Sequence, residues 1–148
     1  MAPEMGTPHA TMEQRWTALC HALGVTDNEP IARHWAVVEA LYAHPPRAYH
    51  NLHHIADCLR ACDAAPNLLP PRGTDLVRLA LFFHDCIYDA QRHDNEARSA
   101  AVGAMIARDL GLAEDDAETV RRLVMATRHL GEPASSDEAL IRDIDLAS

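Results

Sequence analysis

Lysine is missing from this chain: all 13 basic residues are arginine. That absence excludes a lysine Schiff base and a Walker-type phosphate loop, and leaves anion recognition outside any metal to Arg. Aromatic residues are scarce, at 5%, so a core has to be built mostly from Ala, Leu, Val and Ile, a composition that favours helices over strands. Basic charge is short as well. The 13 basic residues stand against 22 acidic ones, a formal charge of -9, which disfavours a long nucleic acid as partner because such binding requires many phosphates to be neutralised. No apolar run reaches the roughly 20 residues of a membrane span, and no basic start followed by an apolar core marks a signal peptide. Cys20, Cys58, Cys62 and Cys86 contain no CxxC pair. Together these features predict a cytoplasmic protein with reduced thiols that acts on a small molecule. Cys58 and Cys62 have a spacing that could form half of a zinc site, but no second pair completes it, and buried inert thiols are the expectation.

What the chain does have is helical periodicity. Its 148 residues suit one domain with a real core, with residues 1–10 expected as a loose tail and 11–148 as the helical domain. Trp16, Leu19, Cys20 and Leu23 recur at helical spacing from Thr11 onward, Gln14 would complete a capping box with Thr11, and Gly24 can stop the helix. A second helix is expected from about Pro30 to Ala43, a third from about Asn51 to Ala64, and a fourth over DLVRLALFFHDCIY with Thr74 as its N-cap. The fourth is mostly apolar and therefore central. A fifth is expected from Asn95 to Leu110 with Asp94 as cap and Gly111 as stop, a sixth from Glu114 to Leu130, and a last one from near Ser136. No useful alternating strand pattern occurs. The fold class predicted is an all-α, single-domain helical bundle.

Within these helices a mixed nitrogen and oxygen set stands out: His54, His84, Asp85 and Asp145. Such a set suits a divalent cation, with Mn, Fe, Co, Ni or Zn favoured and Mg admissible if oxygen ligands and waters dominate. His84 and Asp85 close the most apolar segment, where a charged Asp is costly unless it is paired or ligates a metal. His50 and His54 share one spacing of four, and His53 and Asp57 share another, with the neighbours His53 and His54 about 100° apart around a helix. Spacing alone leaves both pairs open, while the apolar stripe of Ile55, Cys58, Leu59 and Cys62 favours His54 as the inward residue. Asp145 lies in the mostly apolar LIRDIDLA, and Asp143 should point to a different face. His9, His21, His34 and His44 are expected in surface or packing roles, and His53 in a supporting or surface role.

The strings RAYHNLHHIAD, ALFFHDCIYD, NEARSA, ATRHL and DIDLA resemble, in order and at helical positions, the HD superfamily of metal-dependent phosphohydrolases. More narrowly they look like compact bacterial proteins described as predicted HD-superfamily phosphohydrolases. YHNLHHIAD is also similar to the first metal-binding segment of the cyclic nucleotide phosphodiesterases. The resemblance implies an HD-type bundle with His54, His84, Asp85 and Asp145 as metal ligands, Asp145 being chosen over Asp143 because Leu146 follows it. It implies that His50 is the general acid and that Asp85 also orients the attacking water, with metal-bound hydroxide attacking the phosphorus of a small ester such as a nucleotide. Arg47 and Arg128 are candidates for gripping a substrate phosphate. By the same likeness Glu96, His93 and His129 become candidate pocket residues. Relatives of this type continue past the terminal Asp motif, whereas this chain stops three residues beyond Asp145. Part of the pocket wall would then be absent or come from a partner subunit in a homo-oligomer. Two rival functions keep the same ligands: a di-iron oxygenase, and a non-catalytic metal- or nucleotide-binding regulatory module.

Overall fold

The computed structural model describes residues 8–43, 51–65 and 68–148. Seven helices make up the fold among them: α1 (Pro8–Ala22), α2 (Asn28–Ala43), α3 (Leu52–Ala64), α4 (Pro71–Phe83), α5 (Asn95–Asp109), α6 (Glu114–Ala126) and α7 (Ser136–Ala147). No strand occurs among the described residues, so the all-α expectation holds. No helix is long and apolar enough to cross a membrane.

Local chemistry accounts for most of the boundaries. Gly24 and Gly111 take positive φ just past α1 and α5, and in both cases the amide after the glycine reaches back across the last turn, Val25 to Cys20 and Leu112 to Ala107. That pattern satisfies carbonyls a helix end leaves orphaned, and it needs a residue without a Cβ penalty. At the start of α3, the Asn51 side chain accepts hydrogen bonds from the amides of His53 and His54, which fixes the turn that carries His54.

Several helix ends and one cap differ from the periodicity reading, among them the start of α2, which lies at Asn28, two residues before Pro30. α1 begins at Pro8, three residues before Thr11, so Thr11 is no cap; proline is well suited to a first helical position because its missing N–H would be unpaired there anyway. The same rule moves the start of α4 to Pro71, and Thr74 lies inside the helix with its hydroxyl bonded back to Pro70 O. Asp94 occupies the N-cap position of α5 without a capping bond, because its carboxylate pairs with Arg92 instead. Finally, α6 ends at Ala126 and not at Leu130: the Thr127 hydroxyl takes Val124 O, and His129 adopts φ 59°.

α4 is the axis of the bundle, packing against α1, α3, α5, α6 and α7. Its Leu76, Val77, Leu79, Ala80, Leu81, Phe82 and Phe83 are all buried, as expected for a helix surrounded by neighbours. Trp16 from α1 is fully buried with edge-on contacts to Phe82 and Phe83, and its indole N–H donates to Ile31 O on α2. Tyr42 donates its hydroxyl to Phe82 O at 2.7 Å, locking α2 to the last turn of α4. Gly103 of α5 faces Phe83 and Val120 so closely that an added Cβ would lie 3.1–3.2 Å from them, so the approach of α5 to α4 and α6 requires glycine. Arg122 joins α6 to α7 through Asp137 and Glu138. α3, α4 and α7 also pack against one another, and the predicted site residues lie at their ends.

Candidate metal centre

Three mutually packed helices, α3, α4 and α7, bring His54, His84 and Asp145 to one point, with Asp85 beside the two imidazoles. His54 extends from the first turn of α3. His84 is the C-cap of α4 in helical geometry, and Asp85 follows it in the turn; both residues therefore lie just past the helix and not within it. Asp145 projects from the last turns of α7, while Asp143, two residues earlier, is exposed.

The donor atoms converge tightly. His54 Nε2 is 3.3 Å from His84 Nε2 and 3.3 Å from Asp145 Oδ1. His84 Nε2 is 3.1 Å from the same Asp145 oxygen, and Asp85 Oδ2 is 3.5 Å from both imidazole nitrogens. Ligand atoms bound about 2.0–2.1 Å from a common ion sit roughly 3.0 Å apart in cis octahedral geometry and roughly 3.3 Å apart in tetrahedral geometry. The observed edges match that scale.

His84 is prepared for such a role. It is buried, and its Nδ1 donates to Leu81 O at 2.7 Å, which places the ring proton on Nδ1 and turns the Nε2 lone pair toward the cluster. A backbone carbonyl on the far nitrogen is the usual way a ligating imidazole is oriented and made more basic.

The electrostatics of the cluster point the same way. A hydrogen bond with Asp145 is the main cause that pushes the His54 imidazole up to about 10. Burial pulls His84 down, but the Asp85 charge and the bond to Asp145 outweigh it and carry the imidazole up to about 9. Burial likewise pushes the Asp145 carboxyl up, yet its bonds with His54 and His84 hold it well below the usual carboxylate range. The carboxylates therefore draw positive charge to the middle of the cluster, whether as protons on the imidazoles or as a cation.

Two neighbours were not in the predicted ligand set. Cys58 is buried one turn after His54, with Sγ 3.7 Å from His54 Nε2, and it belongs with His54, His84 and Asp145 to a group of donor atoms all within 4.8 Å of one another. Cys58 is buried as expected, and its place in this group adds it as a further candidate ligand; its i, i+4 relation to His54 was the available signal. Cys20, by contrast, is a core thiol that burial pushes up to about 12. His129, expected as a substrate residue, instead places Nε2 2.8 Å from Asp145 Oδ2, because the early end of α6 turns it toward α7.

The remaining substrate candidates are not brought into this group. Glu96 is half-buried in the first turn of α5, and Arg128 is exposed. Neither makes a side-chain hydrogen bond or ion pair with a described residue, and neither joins the converging donors. His50 and Arg47 lie outside the described residues. His53 is exposed on α3, His93 is exposed in the loop before α5, and His34 pairs with Asp109 far along the chain. Comparisons of the chain with protein-family models, with curated proteins and with solved structures give no significant match.

Proposed function

We propose that this chain is a metal-dependent phosphohydrolase acting on a small phosphate ester, a nucleotide or a related metabolite. The observation that carries the reading is the convergence of two imidazole nitrogens and Asp145 Oδ1 from α3, α4 and α7 at edges of 3.1–3.3 Å, the spacing a single divalent ion imposes on its ligands, with Asp85 Oδ2 3.5 Å from each imidazole. His54, His84, Asp85 and Asp145 would hold the ion, whose chemistry when bound is to acidify a water and neutralise phosphate charge.

The protein's own groups divide the rest of the work. His84, fixed by Leu81 O, and His54, fixed through the Asn51 cap, hold their lone pairs at the centre. Asp85 lies 3.5 Å from each imidazole, where its carboxylate would hold and orient a water beside a bound ion. The resemblance to HD proteins assigns protonation of the leaving oxygen to His50. Four cysteines, none of them in a disulfide, favour a reducing compartment, and we read the protein as cytoplasmic.

A second reading draws on Cys58. A thiol beside His54 suits a softer ion held without turnover, in a regulatory module.

The deciding experiment is a phosphate-release screen over nucleotides and sugar phosphates with Mn, Mg, Co and Ni, run beside Asp85→Ala. Turnover by the wild type that falls at least 100-fold in the variant supports the hydrolase reading. Metal binding with no turnover of any phosphate ester moves the assignment to the second reading.

A further inference from the structure

His129 combines three unusual features. It is the one non-glycine residue with positive φ among the described residues, at 59°. Its Nε2 contacts Asp145 Oδ2 at 2.8 Å. Its Nδ1 is buried with no hydrogen-bond partner. A histidine placed for packing alone has no need of left-handed backbone, and buried polar nitrogens are nearly always paired. Such outliers gather where function requires a particular geometry.

Taken with the metal centre proposed above, on which this step rests, we infer that His129 is a positioning residue that locks Asp145 into single-oxygen coordination. The two oxygens of Asp145 face different partners: Oδ1 lies against His54 and His84, and Oδ2 against His129. With no acceptor at Nδ1, the ring proton belongs on Nε2, where it donates to Oδ2. A carboxylate tied by one oxygen cannot swing to offer both, so a bound ion would gain one bond from Asp145 instead of two, which leaves one more position for water or substrate than a two-oxygen grip would. His129 is not itself in the converging donor group, which comprises His54, Cys58, His84 and Asp145.

The backbone explains how the ring arrives there. Thr127 caps the end of α6 by donating to Val124 O, the chain leaves the helix after Ala126, and the left-handed turn at His129 sends the side chain back toward α7. Continued helix would have carried His129 in another direction.

The test uses the full chain freed of metal, titrated with manganese(II) and zinc(II) by calorimetry, beside thermal unfolding of the metal-free form. His129→Gly keeps the left-handed backbone without strain and removes the N–H; His129→Gln keeps a side-chain N–H donor. The expected result is a 10–100-fold weaker affinity for His129→Gly, the usual loss when a ligand's supporting partner is removed, with the metal-free melting temperature maintained and with His129→Gln binding more tightly than His129→Gly. Equal affinity of His129→Gly and the wild type overturns the inference and leaves the metal reading standing. So does an affinity loss matched by loss of the metal-free fold in both variants, or a Gln variant no better than the Gly one. A wild type that binds neither ion defeats the metal reading itself, and this inference with it.

Discussion

Replacing Gly103 with alanine sets two well-measured effects against each other at a position next to the candidate site. In a helix interior the substitution gains about 0.5–1 kcal/mol from backbone entropy and propensity. Here the new methyl would lie 3.1 Å from Phe83 Cβ, 3.2 Å from Phe83 Cγ and 3.2 Å from Val120 Cγ1, inside the roughly 3.5–4.0 Å at which carbon atoms attract best. Phe83 is held at its Cβ by the backbone of α4 and cannot rotate away, so the helices must part or strain. Overpacking of that kind costs about 1–3 kcal/mol, and the balance is a net loss of about 1 kcal/mol. Gly73 supplies the control. An added Cβ there meets its nearest atoms at 3.6 and 3.7 Å, ordinary contact, so Gly73→Ala should gain about 0.5–1 kcal/mol. Urea unfolding of the two metal-free variants should therefore give midpoints displaced in opposite directions, about 2 kcal/mol apart. Because Phe83 adjoins His84, Gly103→Ala should also weaken metal binding while Gly73→Ala leaves it unchanged. A Gly103→Ala protein more stable than the wild type would refute the close-approach argument.

Other expectations follow from single contacts. Tyr42→Phe removes the 2.7 Å bond to Phe82 O and leaves a buried carbonyl short of a donor, which should lower stability by about 1–2 kcal/mol; a change under about 0.5 kcal/mol in urea unfolding would mean the carbonyl finds another partner. Arg122→Ala removes the tie from α6 to Asp137 and Glu138 at the start of α7; with the Arg side chain 37% exposed, the loss should be about 1 kcal/mol at neutral pH. Its pH dependence has a definite sign. Arg122 holds the Asp137 carboxyl below its ordinary 3.8, so the stabilisation is complete above that value and is lost as pH falls through the lowered one. The gap in stability between wild type and Arg122→Ala should therefore narrow below about pH 3.8, and a gap that widens in acid would contradict the assignment.

Much of the fold was legible because its signals are local. Apolar residues at helical spacing, prolines in first turns and glycines just past the ends of α1 and α5 each act within a few residues. The misses share a cause in local competition between equally acceptable choices: Pro71 against Thr74 for the start of α4, an ion pair with Arg92 against a cap for Asp94, and the Thr127 hydroxyl against four further residues of α6. Periodicity describes where a helix can run and does not decide which of these wins. At the site, His84 and Asp85 were legible because a polar pair closing an apolar helix has no simple packing explanation. Cys58 was passed over because a cysteine on an apolar stripe reads equally well as core.

By itself, then, the sequence determined an all-helical chain, an axial fourth helix and a short set of polar residues that an apolar environment makes expensive. Tertiary structure alone decided that they meet. His54 and Asp145 are 91 residues apart, and only the mutual packing of α3, α4 and α7 brings their donor atoms to 3.3 Å. It also decided which oxygen of Asp145 faces the centre and that His129 grips the other, because both depend on how the turn after α6 is aimed at α7. Side-chain identity can specify that a group is costly to bury; the relative placement of helices specifies what it is buried against.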